Sequence, residues 1–291
     1  MTATLVARRP GRTDSAPGSR RRSTPIVYLL LVVLAVYAIL PLVIFAFSAL
    51  KTQADLGAHP LSPPTHPQWH NFVDAWKQAD MGTGLRNSAI IVTGTVLGVC
   101  VIAGCAAYAM ARLDLPGRNG VMTYLIVSSA LPIQLFLVPL FYLWTRLNLY
   151  DSIPGLIIIY WAVFSPFATL LLRSFLIGLP REYEEAARVD GASEITILLR
   201  IVLPLSWPGF LTVALVTGLA AYNEFLLAVT FIQTPSRLPV SLAMFSFQQG
   251  YTQNYALISA AGLIMLAPMV ALFLTLQRRF VNGLASSGLA G

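Results

Sequence analysis

Charged side chains are scarce in this chain of 291 residues: Asp, Glu, Lys and Arg together make up 11% of it. A soluble domain carries about 25%. Hydrophobic residues reach 56% and the mean hydropathy is +0.71. So much apolar surface needs lipid as its solvent, and several apolar runs reach the roughly 20 residues that a helix needs to cross a bilayer. These values exclude an ordinary soluble protein and predict an all-α integral membrane protein.

Lysine is nearly absent, and this excludes one class of enzyme. The only two lysines, Lys51 and Lys77, follow Leu50 and Trp76. A phosphate-binding loop of the Walker type ends in Gly-Lys-Ser or Gly-Lys-Thr, so the chain has no such loop and cannot supply its own ATPase of this kind. Any ATP that drives its function must be used by another subunit.

Histidine and cysteine are also too few for a metal or redox centre. His59, His66 and His70 all fall in one polar connection rich in proline, which we interpret as a solvated or partner-facing loop rather than a metal site. Cys100 and Cys105 lie five positions apart in one apolar run. On a helix they point in different directions, so we expect two unpaired thiols packed as small apolar residues. We therefore predict no catalytic residue, metal or bound cofactor.

The N-terminal segment differs from the rest of the chain. Residues 1–25 are rich in Arg, Ser, Pro and Gly, which predicts a disordered basic tail. The apolar run that follows is longer than the roughly 7–15 residues of a signal-peptide core. We interpret it as an uncleaved first span and residues 26–291 as a single transmembrane domain.

Six spans are predicted from the lengths of the apolar runs. They lie near residues 27–49, 87–111, 121–145, 154–177, 207–232 and 256–277. Pro132 and Pro139 predict kinks in the third span. Gly94 and Gly98 in the second span predict close packing against another helix.

The basic residues predict the orientation of these spans. If the N-terminus lies inside, only five of the 19 Lys and Arg residues fall outside, namely Lys51, Lys77, Arg86, Arg146 and Arg237. The positive-inside rule then predicts that both termini are cytoplasmic. The same distribution accounts for the net charge of +7 without a nucleic-acid partner.

The segment 178–206 is the acidic connection on the predicted inner side. Pro180 and the acidic residues after it favour the start of a helix. Gly191 suits a left-handed residue after that helix, Ser193 can cap a second one, and Pro204 is predicted to end it. The acidic residues are Glu182, Glu184, Glu185, Asp190 and Glu194. The segment is thus predicted to form a helix, a tight turn and a second helix at the membrane surface.

This segment is more consistent with docking than with lying passively on lipid. Ala186 and Ala187 are small enough for a partner to approach the helix backbone. The second helix carries a predicted apolar stripe made of Ile195, Leu198, Leu199 and Val202. The alternative is an amphipathic helix at the headgroups, which normally has Lys and Arg on its polar face, whereas Glu dominates here.

Glu224 lies within the predicted fifth span, where a carboxylate is costly and is usually paired or facing water. With Asn223 it could line a solute pathway and bind a polyol. The alternative, which we favour, is a structural hydrogen-bonding group near the end of the span.

The spacing in the acidic segment resembles a known motif. Glu185-Ala186-Ala187, Gly191, Ile201 and Leu203-Pro204 match the EAA motif of binding-protein-dependent ABC importer permeases at every fixed position. In that family the loop is the coupling helix that sits in a cleft of the ATPase subunit. The resemblance implies that Asp190 and these motif residues contact an ATPase.

The resemblance extends over most of the chain after residue 40. Tyr222-Asn223-Glu224-Phe225-Leu226 is similar to the fifth-span signature of the sugar-importer branch, with Tyr222 where Trp is usual. The segments Arg86-Asn87-Ser88, Ala106-Ala107-Tyr108-Ala109 with Arg112, and Arg279 to Leu284 also resemble that branch, the second permease of maltose-type importers in particular.

This family implies the MetI-like permease fold in a prokaryotic plasma membrane. It also implies an ABC ATPase dimer that hydrolyses the ATP, a second homologous permease, an extracytoplasmic solute-binding protein and a small sugar or oligosaccharide as cargo. The same machine could carry glycerol phosphate or another polar solute. An ATP-independent transporter or a membrane enzyme would need titratable clusters within the spans, and only Glu224 is clearly placed there.

Overall fold

The computed structural model describes residues 25–248 and 253–286, and all regular elements in these ranges are helices. The predicted disordered tail, residues 1–25, lies outside the described residues except for Pro25. In chain order the α-helices are α1 (Pro25–Ala49), α2 (Gln53–Ala58), α3 (His70–Gln78), α4 (Met81–Arg112), α5 (Arg118–Ala130), α6 (Leu137–Arg146), α7 (Ile153–Ile177), α8 (Glu182–Val189), α9 (Glu194–Ile197), α10 (Leu203–Leu205), α11 (Trp207–Asn223), α12 (Leu226–Phe231), α13 (Val240–Ala243) and α14 (Tyr255–Ser286). Short 3-10 segments lie at Ile133–Phe136, Pro235–Arg237 and Met244–Gln248, and a π-helical turn at Leu198–Val202.

Four of these helices contain segments long and apolar enough to cross a membrane. The segments are Val27–Ala49, Met81–Arg112, Ile153–Ile177 and Tyr255–Thr275. They correspond to the predicted first, second, fourth and sixth spans. Two bent helix pairs raise the number of candidate spans to as many as six if each pair is one span.

The third predicted span is not one kinked helix, as expected, but two helices. The segments Arg118–Ala130 and Ile133–Arg146 meet at an angle of 93°. Leu131 is extended (φ −73°, ψ 131°), because the ring of Pro132 disfavours helical backbone at the residue before it. Pro139 falls in the first turn of α6, where a helix does not need its missing N–H. One proline therefore breaks the span and the other is accommodated.

The fifth predicted span, 207–232, is also interrupted. α11 ends at Asn223, and Glu224 has extended backbone (φ −66°, ψ 127°). The chain then forms the short α12. The expectation of one continuous helix is wrong here, and the reason lies in the side chain of Glu224, described below.

The core is built around α4, which packs most extensively against α7 and α11. The prediction of close packing at Gly94 and Gly98 is confirmed. Trp161 Nε1 donates a hydrogen bond of 2.9 Å to the carbonyl of Gly94. A Cβ atom at Gly98 would lie 2.0 Å from the same Nε1 atom. Only a glycine lets α7 approach α4 at this point.

The two halves of α4 lie in different apolar clusters. Val99, Ala103 and Ala107 pack with Leu172 and Leu176 of α7. The N-terminal half contributes Ile91 to a second cluster with residues of α7, α11 and α12. Cys100 and Cys105 are both free, but only Cys100 is partly buried. Cys105 is exposed, so the expectation that it packs as a small apolar residue is wrong.

The start of α4 holds the connection between α12 and α13. Asn87 Nδ2 donates to the carbonyls of Ser236 and Leu238, at 2.9 and 3.1 Å. Ser88 Oγ accepts a hydrogen bond from the backbone N–H of Val240 at 2.9 Å. α4 is therefore bonded to this connection at one end, while its other end contacts the acidic segment.

Candidate docking site

The acidic segment forms the predicted helix, turn and helix. Glu182, Glu184 and Glu185 occupy the first turn of α8, where carboxylates favour the positive end of the helix. At the other end Gly191 has a left-handed backbone (φ +82°). Its N–H donates to Arg188 O at 3.0 Å, and the N–H of Ala192 donates to Ala187 O at 2.9 Å. This pair of bonds is a Schellman motif, which requires the left-handed residue that glycine supplies.

The second helix begins as predicted but does not end at Pro204. Ser193 Oγ accepts a hydrogen bond from the N–H of Thr196 at 3.3 Å and so caps α9. The helix widens into the π-helical turn before Pro204 and continues to Leu205. Pro204 has no N–H and needs room for its ring, and a wider turn provides that room. A bend of 77° then separates this helix from α11.

Pro180 does not lie in the first turn of α8 either. The helix begins at Glu182 and its N-cap residue is Arg181. Pro180 therefore precedes the helix and contributes only a restricted backbone to the connection from α7.

The helix pair has an exposed and a buried side. Glu185, Ala186 and Asp190 are exposed, and so is Val189, at 87%. Together with Glu182 they follow one face of α8, which we call the docking face (Glu182, Glu185, Ala186, Val189, Asp190). Three acidic and two apolar side chains thus share one exposed face of α8.

The apolar stripe predicted on the second helix is divided between the two sides. Ile195 and Leu199 are 71% and 57% exposed, whereas Val202 is 1% exposed. The widened turn at Leu198–Val202 changes the angular position of each residue after it. An apolar stripe predicted from the regular helical period therefore does not stay on one face of the helix across this turn.

Of the predicted docking residues outside the docking face and the turn that follows it, all but Pro204 are at least partly buried. Ala187 and Leu203 pack against the core cluster around Ala107 and Leu172. Ile201 is half-buried and Pro204 is exposed. The small size of Ala187 thus has an intramolecular reason, because α8 lies close to the chain's own core at this residue.

The sequence did not distinguish Glu184 from its neighbour Glu185. Glu184 is 2% exposed and pairs with Arg112 at the end of α4, with 2.7 Å between Oε1 and Nε. The side chain of Arg112 is 2% exposed as well. The helical period places Glu184 on the side of α8 opposite Ala186, but only the fold brings Arg112 to that side.

Asn223 and Glu224 form a separate site at the far end of α11, about 25 Å along the helix from Trp207. Glu224 accepts hydrogen bonds from the N–H groups of Leu227 and Ala228, at 2.9 and 3.0 Å, and from Tyr160 Oη at 2.8 Å. The carboxylate thus caps α12. Asn223 is exposed and donates to the carbonyl of Leu219 at 2.9 Å. This geometry favours the structural role of Glu224.

The described residues contain no group of three or more His, Cys, Asp and Glu side chains that could hold a metal ion. His70 begins α3 and pairs with Asp74 at 3.1 Å.

The chain was then compared with known proteins. A family model described as "Binding-protein-dependent transport system inner membrane component" matches residues 101–286, which is more than half of the chain. The chain belongs to this family. It is thus a membrane permease, and the helix pair lies within the matched region.

Two curated relatives match along almost the whole permease. The diacetylchitobiose uptake system permease protein of Streptomyces coelicolor is 31% identical over 94% of this chain and 91% of the relative. The sulfoquinovosyl glycerol transport system permease protein of Agrobacterium fabrum is 33% identical over 98% and 99%. A solved bacterial ABC transporter involved in alginate import contains a chain of the same fold, with a TM-score of 0.77 at 18% identity, covering 88% and 95% of the two chains.

Proposed function

We propose that this chain is a permease subunit of an ATP-driven ABC importer for a sugar or oligosaccharide. The observation that carries the proposal is the docking face, an exposed acidic and apolar surface on a helix that is bonded to a spanning helix. The printed functions of the relatives, which take up a disaccharide derivative and a sugar glycoside, support the class of cargo.

In this proposal the ATPase subunits dock on the helix pair. Glu185, Ala186, Asp190 and Gly191 would meet the ATPase directly, because they are exposed around the turn. Ala187, Ile201, Leu203 and Pro204 would hold the pair in shape against the membrane domain. The chain has no phosphate-binding loop of its own, so ATP is hydrolysed by the partner and this chain needs no bound cofactor.

The proposed domain, residues 26–291, crosses the membrane six times with both termini in the cytoplasm. Four long apolar helices support four spans, and the bent pair of α5 with α6, together with α11 from the second bent pair, would form the other two. The bias of Lys and Arg supports the orientation. The helix pair then lies on the cytoplasmic side, where ATP is available.

The remaining partners follow from this arrangement. A second, homologous permease would complete the pathway, and an extracytoplasmic solute-binding protein would deliver the sugar. ATP binding closes the ATPase dimer, and that closure moves the helix pair and shifts the spans between outward-open and inward-open states. Asn223 remains a candidate for the pathway wall, since its side chain is exposed.

Purification with the proposed partners tests this function. We expect the tagged chain, extracted in mild detergent, to recover an ABC ATPase and a second permease, and vesicles to take up a sugar when the binding protein and ATP are supplied. The variant Glu185→Lys reverses a charge on the docking face and should lose the ATPase. Asp114→Lys, an exposed residue in the turn after α4, is the matched control and should retain it.

Two results would contradict the proposal. One is uptake at the full rate without ATP, which would indicate a secondary transporter. The other is retention of the ATPase by Glu185→Lys at the level of the control. Binding assays on the solute-binding protein would separate a sugar from glycerol phosphate or another polar solute.

A further inference from the structure

Five side chains form a series of contacts between the helix pair and α4, and one turn of α4 closes the series into a ring. Arg112 Nε lies 2.7 Å from Glu184 Oε1, and Arg188 Nη2 lies 3.7 Å from Glu184 Oε2. Arg188 also binds both carboxylate oxygens of Glu194, at 2.7 and 3.1 Å. Glu194 in turn accepts a hydrogen bond of 2.5 Å from Tyr108 Oη.

The ring begins and ends on the same face of α4. Tyr108 and Arg112 are four residues apart, which is about one helical turn, and both belong to α4. Glu184 and Arg188 have the same spacing on α8. The two arginines balance the two glutamates, so the ring is electrically neutral. It therefore attaches α8 to one turn of α4 through Arg112, and α9 to the same turn through Tyr108.

The pair of Arg112 and Glu184 is the buried part of this ring. Both side chains are 2% exposed, whereas those of Arg188 and Glu194 are 35% and 42% exposed. Among the ion pairs of the described residues, only the pair of Arg112 and Glu184 joins α4 to α8. A buried charge without its partner is costly, so this pair stays closed when α8 moves, while the exposed pair can yield.

α4 is suited to carry a displacement over a long distance. It has 32 residues, about 48 Å at the usual rise per residue, and no internal proline. The other described helices of 25 residues or more contain Pro41, Pro166 and Pro268. At its far end α4 is bonded to the connection between α12 and α13 through Asn87 and Ser88. A shift of its last turn is thus passed on to the opposite end of the domain.

We propose that Glu184 and Arg112 are positioning residues that couple the docking helix to α4. When an ATPase subunit moves α8, the buried pair makes α4 move with it, and the membrane domain changes state. Glu185, the adjacent residue in the chain, serves recognition on the exposed face, while Glu184 serves transmission on the inner face. This inference rests on the proposed function and assigns two roles to neighbouring glutamates of one loop.

The test measures solute transported per ATP hydrolysed by the complete complex in vesicles. Glu184→Gln removes the charge and leaves the docking face intact. We expect it to assemble with the ATPase and to hydrolyse ATP, while solute transported per ATP falls by about tenfold, within the usual range of coupling between two sites. Asp114→Asn, the corresponding change at an exposed carboxylate just after α4 and outside the docking face, is the matched control and should couple like the unmodified chain.

A second variant separates coupling from folding. The double substitution Glu184→Leu with Arg112→Met removes both charges and leaves no lone charge buried, so it should fold even if Glu184→Gln does not. We expect this variant to remain assembled and uncoupled. Normal transport per ATP in the assembled double variant would overturn the inference, as would normal coupling in Glu184→Gln.

The failure of this inference differs from the failure of the proposed function. If the unmodified chain recovers no ATPase, the proposed function is wrong. If it recovers the ATPase and transports sugar, and neither Glu184→Gln nor the double variant lowers solute transported per ATP, the proposed importer function is correct. Only the role of the buried pair is then wrong.

Discussion

Glu224 lies at the residue where α11 stops and the chain turns into α12. Its carboxylate accepts two backbone N–H groups of α12 and the hydroxyl of Tyr160. Substitution by alanine leaves all three donors without this acceptor, so Glu224→Ala should lower the free energy of unfolding by about 1–3 kcal/mol. Glu224→Gln keeps one amide oxygen and should cost less. Thermal unfolding in detergent measures both.

The same variants also test the alternative role of Glu224 in the solute pathway. A structural role predicts an unchanged KM for solute uptake in Glu224→Gln. Asn223→Ala is the comparison, because the exposed side chain of Asn223 bonds only to the carbonyl of Leu219 in its own helix. A raised KM in Glu224→Gln with normal thermal stability would assign the carboxylate to the solute instead.

Asp151 joins the turn before α7 to the connection after α12. Burial by itself raises the pKa of Asp151, but hydrogen bonds from the side chain and N–H of Thr234 and from the N–H of Gln233, together with the charge of Arg237, lower it below its ordinary value of 3.8. The unfolded chain therefore binds this proton at a higher pH than the folded chain does. Stability from Asp151 is complete above the ordinary pKa and is lost as the pH falls through the lower, folded one.

This linkage predicts a measurable pH dependence. The unmodified protein should melt at a higher temperature than Asp151→Asn at pH 7, and the difference should shrink as the pH is lowered to about 3. Asp114→Asn, the same change at an exposed carboxylate, is the variant against which the trend is compared. A difference that stays constant with pH would contradict the assignment of this contribution to the Asp151 carboxylate.

Single residues were predictable where their role depends on neighbours in the chain. Gly191 and Ser193 have the turn and cap functions that their types suggested, because both depend on backbone within three residues. Glu184 and Glu185 could not be told apart, since the burial of Glu184 depends on Arg112, which is 72 positions away in the sequence. The position of such a partner is a property of the fold.

At the scale of elements, α4 and α7 pack closely at two glycines, Gly94 and Gly98. The two positions differ in how much room an added Cβ atom would have. A Cβ at Gly98 would lie 2.0 and 2.1 Å from ring atoms of Trp161, whose indole N–H bonds to the carbonyl of Gly94. Gly98→Ala should therefore cost about 1–3 kcal/mol of stability by overpacking. At Gly94 the nearest atom is the flexible end of Ile157, at 2.8 Å, so Gly94→Ala should cost less.

The control for Gly94→Ala and Gly98→Ala is Gly120→Ala in the first turn of α5. There nothing lies within 4 Å of the added Cβ. Gly120→Ala should be neutral or slightly stabilising, as expected for alanine in a helix. Melting temperatures in detergent should rank Gly120→Ala highest and Gly98→Ala lowest. The reverse order of the two core variants would place the tighter helix contact at Gly94.

The helices were predictable from run length, but their interruptions were not. α1, α4, α7 and α14 follow apolar runs that the sequence displays directly. The break at Glu224 depends on a hydrogen bond to Tyr160, 64 positions earlier in the sequence. Pro132 was expected to kink a helix, and whether a proline kinks or ends a helix depends on what the following segment packs against.

At the scale of the whole molecule, α4 links the sites that lie at its two ends. In its last turn Arg112 pairs with Glu184 of the helix pair. Near its start Asn87 bonds to the connection between α12 and α13. In the proposed topology these ends lie on opposite sides of the membrane. The topology is therefore the premise on which both the docking and the coupling depend.

Accessibility of introduced cysteines tests that topology directly. In a variant lacking Cys100 and Cys105, single cysteines replace the exposed residues Asn119, Leu147, Glu182 and Ser236. A maleimide that cannot cross the membrane should label Leu147→Cys and Ser236→Cys in intact cells, and Asn119→Cys and Glu182→Cys only after permeabilisation. Labelling of Asn119→Cys and Leu147→Cys from the same side would mean that the pair α5 and α6, bent by 93°, returns to the side where it began. The chain would then cross five times, and its two termini would lie on opposite sides of the membrane.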